Sequence, residues 1–309
     1  MKKQGLELKD QHIPSKLYHY KSLESDEKEN YAFDEIETQT IYLASATQLN
    51  DLYDCVVYVD IDKTTEKLTD NRANEFITNF IPPEGAHPIP HEELVAAYNS
   101  VGWLENLREL ILKYSPKEIH KSIDEVYEDL RLQLEAAEFD ISRLAQERVV
   151  ACCLTESNSN LPMWNHYADE YKGICIEYGM DKFPKESIYR EKIFPIKYSR
   201  ELVPDMTEYN LLYDKKYHPD MLKRIALHKH IDWEYEREWR FAFDIEMCKQ
   251  ATQDMFDNKM KLPCISAVYM GKDISAQHKE CLLNITNKMK MPLFYMKFGL
   301  KGIEFIREQ

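Results

Sequence analysis

Residues 233–243 read WEYEREWRFAF, the stretch on which the fold and the chemistry both turn. Taken as extended over 236–243, it places Glu236, Glu238 and Arg240 on one face and Trp239 and Phe241 on the other. Two carboxylates and a guanidinium on one face of an otherwise apolar strand are costly unless they are paired or used. Pairing of Glu with Arg across an edge strand is the structural alternative. A catalytic carboxylate oriented by its neighbours is the functional one.

Outward from this segment, short apolar runs recur at 149–155 (VVACCLT), 173–178 (GICIEY), 193–198 (IFPIKY) and 265–270 (ISAVYM). Further strand signals lie at 16–20, 40–44, 55–59, 293–297 and 303–306, with helical patterns at 163–169, 219–230 and 275–289. Strands far apart in sequence with irregularly placed helices predict an α+β fold. Its sheet is expected to be mostly antiparallel and strongly curved or split. The acidic segment 24–37 reads as loop plus a short helix, and the Pro-rich stretch 81–90 (IPPEGAHPIP) as a boundary. Beyond it, Leu94, Ala97, Val101, Leu104, Arg108 and Ile111 recur at three- and four-residue spacing, Arg108 being the one polar interruption. After Ser115-Pro116, Ile119, Ile123, Val126, Leu130, Leu134, Ala137, Ile141 and Leu144 continue the pattern. The expectation is a single α+β domain over 1–309 with a helical hairpin inserted at about 91–148. Its apolar stripes either pack internally or form a homodimer arm.

Composition narrows the function. Among 309 residues there are only 8 glycines, and no GxGxxG, GxxxxGK[ST] or GxSxG occurs, so nucleotide loops and a hydrolase elbow lack their usual signal. The net charge is −14, yet residues 149–309 carry 24 acidic and 24 basic side chains. A clustered basic surface for general phosphate-backbone binding is therefore not expected. The seven cysteines form no CxxC pair, which speaks against a zinc site or disulfide framework, and no metal is expected. The opening MKKQGLELKD has no apolar leader core, and no run approaches the roughly 18 apolar residues of a membrane helix. The expected location is cytoplasmic, without a membrane partner.

Three further clusters carry polar and aromatic groups at strand or strand-end positions. In 17–20 (LYHY), His19 faces one side and Tyr18 and Tyr20 the other. In 45–54 (SATQLNDLYD), Asn50 and Asp51 suit a turn. In 155–168 (TESNSNLPMWNHYA), Thr155 ends a strand and Pro162 opens a short helix bearing Trp164, His166 and Tyr167, more hydrogen-bonding and stacking groups than packing needs. His228 and His230 flank Lys229 near a helix end, where an i, i+2 spacing does not put both histidines on one face; they read as solvated.

The order LYHY, Leu49-Asn50-Asp51, Met163-Trp164-x-His166-Tyr167-Ala168 with Gly173, then Trp233-x-Tyr235-Glu236-x-Glu238-Trp239-Arg240 resembles the bacterial domain-of-unknown-function family twenty-nine seventy-one. Two departures stand out: Leu52-Tyr53-Asp54 where the family has Pro-Phe-Glu, and Leu154-Thr155-Glu156 in place of a Phe-Ser type strand end. More remotely, the layout is similar to toxin-like ADP-ribosyltransferases. That resemblance implies NAD as the substrate, Glu238 as the catalytic carboxylate and Glu236 as the group activating the acceptor. It makes His19, Tyr20, Thr155, Trp164, His166 and Tyr167 the NAD-binding set, and Asn50, Asp51 and Arg240 orienting residues. The acceptor would be a nucleic acid or a protein, and the biological setting a toxin or phage-defence effector. A non-catalytic ligand- or partner-binding module is the alternative, and a metal-independent nuclease using His19 or His166 with Glu238 the next. The transferase reading requires His19, Tyr167 and Glu238 to converge on one cleft. The binding module requires both glutamates to be paired with arginines, with no open pocket beside them.

Overall fold

The computed structural model describes residues 12–23, 30–58, 77–100, 102–206, 224–244, 255–256 and 258–308. Residues 24–29, Val59, Val101, 219–223 and Cys248, each part of an expectation above, lie outside them. The chain divides into two compact units: Met1–Cys55, Gln146–Leu202 and Leu222–Gln309 form one, Val56–Ala145 and Val203–Met221 the other.

The first unit holds all fourteen described strands. They are β1 (Lys16–Lys21), β2 (Thr40–Tyr42), β3 (Ala44–Ser45), β4 (Val149–Thr155), β5 (Ile174–Gly179), β6 (Ile193–Pro195) and β7 (Lys197–Ser199). After these come β8 (His228–His230), β9 (Glu238–Asp244), β10 (Met255–Phe256), β11 (Lys259–Lys261), β12 (Ile265–Met270), β13 (Leu293–Gly299) and β14 (Gly302–Arg307). The main sheet runs β14-β13-β12-β5-β1-β4-β9-β6, with β3 paired to β4. Helices and strands in one body confirm α+β. The sheet, however, is mixed rather than mostly antiparallel, because β12 and β13 run parallel. The cause is the helix Ala276–Met289, which carries the chain back over the sheet between them; a tight hairpin can only reverse direction. A parallel β7–β8 pair and a three-stranded β10-β11-β2 sheet stand apart.

Three sequence readings are corrected locally. The run 193–198 is two strands in two sheets: β6 pairs with β9 while β7 pairs with β8. Pro195, lacking an N–H, ends the edge strand at this division. Residues 55–58 form no strand, since Cys55 takes a φ of 61° and Tyr58 makes only an isolated bridge. His228–His230 is a strand rather than a helix end.

β4 and β5 are almost wholly buried, as expected of strands covered on both faces. Register assigns their faces. Tyr18 lies opposite Thr155 and Glu177, and Thr155 opposite Glu238, so these four side chains share one face. His19 and Lys21 point to the other, with Leu17, Leu154, Trp239 and Phe241. That second face is covered by helix α1 (Tyr31–Thr38), capped by Asn30 and stopped at Gln39, whose φ is 51°. The first face is covered by a helix at Leu161–Tyr167, capped by Asn160 and followed by three residues in left-handed conformation, Asp169, Glu170 and Tyr171. A Cβ at Gly173 would lie 2.2 Å from the Lys21 carbonyl oxygen, and one at Gly271 2.0 Å from that of Tyr171, so only glycine allows the turn to seat this closely.

The second unit is helical, with His91–Tyr98, Trp103–Tyr114 and most of His120–Arg148. The first two were expected as one helix; Gly102, at φ 72°, starts a new one. Ile77, Leu94, Tyr98, Trp103, Leu107 and Leu110 form its core. Arg108, the polar interruption, bonds Glu105 and Asp124, which ties two helices together. Val126 and Leu130 of the expected stripe are exposed, while the side chains of Leu134, Ala137, Ile141 and Leu144 lie outside those described.

Candidate carboxylate centre

Glu238 opens β9, and its backbone N–H donates to the Tyr198 hydroxyl at 2.8 Å. Glu236 is not in the strand: it ends the 3-10 helix Ile231–Glu236, and Arg237, at φ 46°, turns the chain between them. Thr155 fixes that turn by donating its hydroxyl to the Glu236 carbonyl at 2.5 Å. The two carboxylates nevertheless meet, through Lys229 on β8, whose Nζ lies 2.7 Å from Glu236 Oε2 and 3.2 Å from Glu238 Oε2. Strand alternation sends Lys229 inward and is what the helical reading of 219–230 missed. Lys229 also sits 4.7 Å from the Trp233 ring centre.

Arg240 completes the cluster. Its Nε donates to Glu238 Oε1 at 2.7 Å, and one terminal nitrogen donates to Asp54 Oδ1 at 2.8 Å and to the Ala226 carbonyl at 2.9 Å. Tyr167 donates its hydroxyl to Glu236 Oε1 at 2.5 Å, and Asn50 donates its amide to the Tyr167 oxygen. Glu236, Glu238, Arg240, Lys229 and Asp54 are all buried; Tyr167 is half-buried and Asn50 exposed.

Three carboxylates thus share two cations, and the shortage falls unevenly. Burial works to raise Glu238, but Arg240 and Lys229 together outweigh it and hold its carboxyl at about 2. Glu236 goes the other way: burial, reinforced by the Glu238 charge, prevails over Lys229 and raises its carboxyl above the ordinary value. Burial likewise raises Asp54 despite Arg240. The Tyr167 phenol is raised by burial and then by Glu236, so it stays protonated. Beside the cluster lies a cavity of about 580 Å³ lined by Glu238, Glu156, Glu234, Arg237, Tyr198 and Tyr235, a volume suited to a small ligand.

The remaining expected site residues divide sharply. Tyr20 and Trp164 pack edge to face at 5.1 Å in the core, each donating to a backbone carbonyl of the 157–158 loop. His166 is exposed, 3.4 Å from the Tyr235 hydroxyl. Asp51 accepts from the Tyr53 N–H, a turn contact rather than a site contact. His19 lies on the opposite face of β1, with Nδ1 3.0 Å from Glu35 Oε1, so it does not converge with Tyr167 and Glu238. Lys229 and Asp54 were missed by the sequence reading.

The molecule is therefore an α+β protein with a buried carboxylate–cation centre under a short aromatic helix. A family model described as "Protein of unknown function (DUF2971)" matches residues 163–241, which span Tyr167, Lys229, Glu236, Glu238 and Arg240 and support the family resemblance. No curated protein and no solved structure matches the chain, so the ADP-ribosyltransferase resemblance rests on residue order alone. Among the described residues, no group of three His, Cys, Asp or Glu is placed to hold a metal ion, and no helix is long and apolar enough to cross a membrane.

Proposed function

We propose that the Glu236–Glu238 pair is a catalytic centre that breaks the nicotinamide–ribose bond of NAD and passes the ADP-ribosyl group to an acceptor or to water. The observation that carries this reading is geometric: two buried carboxylates meet on Lys229, 2.7 Å from Glu236 and 3.2 Å from Glu238, with Arg240 on Glu238 and the Tyr167 hydroxyl on Glu236. The cation-rich side favours an ionised Glu238, and the phenol-bonded side gives Glu236 the proton-accepting role. The C1′–N bond breaks with its electron pair going to nicotinamide, which departs neutral. The ionised Glu238 carboxylate stabilises the oxocarbenium character at C1′. The acceptor hydroxyl, amine or water then bonds to C1′, and its proton passes through the Tyr167 hydroxyl to Glu236. A phenol that donates to Glu236 and accepts from Asn50 keeps one lone pair for a further donor, so the half-buried Tyr167 serves as the outer end of that relay. His19, which the transferase resemblance placed in the same cleft, is committed to Glu35 on the other face of the sheet. That requirement is not met, and the reading rests on Glu238, Glu236 and Tyr167 without it.

One observation favours the non-catalytic binding module: Glu238 is paired with Arg240 and Lys229, and Glu236 with Lys229. Two features run against that module: Glu236 is paired with a lysine rather than an arginine, and a cavity lies beside Glu238 where the module required none. Nicotinamide release from NAD by the purified protein, with and without nucleic acid, separates the two. Saturable release that drops about 100-fold or more in Glu238→Gln is the expected result. Absence of NAD binding up to about millimolar concentration would remove the transferase reading and leave the binding module.

A further inference from the structure

We propose that Asp54 is a positioning residue of this centre: it holds the Arg240 guanidinium so that Nε faces Glu238. The inference rests on the reading of Glu238 as the reacting carboxylate. A guanidinium is planar and rigid, so fixing one terminal nitrogen fixes where Nε points. Here that nitrogen is held by Asp54 Oδ1 and the Ala226 carbonyl. The Arg240–Asp54 contact is single, since among the described residues Asp54 Oδ2 and the other Arg240 terminal nitrogen have no hydrogen-bond partner. A single contact can pivot, so its anchor must be firm.

Asp54 is firmly held. Its side chain is 1% exposed, its N–H donates to the Asp51 carbonyl at 3.1 Å, and its own carbonyl accepts from Gln146 at 3.2 Å. Cys55, next in the chain, takes a left-handed φ of 61° that a non-glycine residue adopts only when its surroundings impose it. The loop bearing Asp54 also bears Asn50, which reaches Glu236 through Tyr167. One five-residue loop therefore touches both carboxylates through one intermediary each: Glu236 through Tyr167, Glu238 through Arg240. Its substitution should be felt at Glu238 rather than at the loop alone.

The groups around Glu238 are Arg240 on its own strand, Lys229 on β8, Cys153 on β4, Glu236 on the 3-10 helix and Asp54 on the loop. The test is the carbon-13 titration of the Glu238 carboxyl, assigned as the resonance missing in Glu238→Gln, in Asp54→Ala and Asp54→Asn. Removing the Asp54 charge alone leaves Glu238 as low or lower, because Asp54 is a like charge. Only departure of Arg240 raises it. In Asp54→Ala the titration is expected to rise by about one pH unit or more, while Asp54→Asn, which keeps an acceptor for Arg240, leaves it low. Nicotinamide release is expected to fall about tenfold in kcat at unchanged KM in Asp54→Ala and to recover in Asp54→Asn. If Asp54→Ala does not fold, Asp54→Ser, too short to reach Arg240, replaces it. An unchanged or lowered Glu238 titration in the short variant overturns the proposal. Wild-type protein that does not turn over NAD overturns the proposed function instead, and the titration still decides Asp54.

Discussion

The two faces of the main sheet each bury a polar cluster built from the same parts. On one, Glu35 is alone among Lys21 at 3.0 Å, His19 at 3.0 Å and the Tyr178 hydroxyl. On the other, Glu236, Glu238 and Asp54 share Lys229 and Arg240. Glu35 has more partners than it needs: burial works to raise it, but Lys21 and His19 prevail and hold it at about 2. Its role is to clamp α1 to β1. The second cluster has fewer cations than carboxylates, so two of its three acids are raised. The ratio of carboxylates to cations, rather than burial, distinguishes a clamp from a centre poised to exchange a proton.

The same substitution on each face sharpens the contrast most. Glu35→Gln strands Lys21 beside a neutral amide and is expected to cost about 3–5 kcal/mol in urea unfolding, whereas Glu236→Gln leaves Lys229 paired with Glu238 and is expected to cost less, about 1–2 kcal/mol. Equal costs would break the comparison. The acid limb of stability is the next largest effect. A carboxyl held near 2 stabilises the fold above its ordinary value of 4.5, and that contribution is lost as pH falls from 4.5 through about 2. For Glu35 this amounts to roughly 3 kcal/mol, and the unfolding free energy of Glu35→Gln should be correspondingly flatter between those limits. The smallest effect is that of His19→Gln, which removes one hydrogen bond for about 1 kcal/mol. It should leave the KM for NAD within about twofold; a large KM rise would return His19 to the site.

Much of this was legible where local chemistry and periodicity agree. The apolar runs of β4, β5, β9 and β12 and the Asn160–Pro162 helix start stand in the sequence almost as they fold, as does the union of Glu238 with Arg240. Lys229 was hidden because three residues of His-Lys-His alternation are too few to separate strand from helix. Asp54 was hidden because its partner lies 186 residues away, beyond anything local patterning reports. The parallel β12–β13 pair was overlooked although strand, helix and strand follow one another at 265–299, since periodicity identifies elements but not their partners. His19 lies apart from Tyr167 and Glu238 for a related reason: alternation says that it opposes Tyr18 and Tyr20, but not which face carries the carboxylate cluster.

The position of β1 has a consequence in time. It lies between β5 and β4, and its register partners begin at Thr155 and Ile174. At a synthesis rate of about 5–20 residues per second, the strand made first waits roughly 10–30 seconds for the neighbours that cover both its edges. Until then it is a short, aromatic-rich segment with two open edges, and the large sheet cannot close from its N-terminal side. The central strand is the first made but is secured only when the middle of the chain emerges, so until then the growing chain depends on something else to keep LYHY from finding the wrong neighbour.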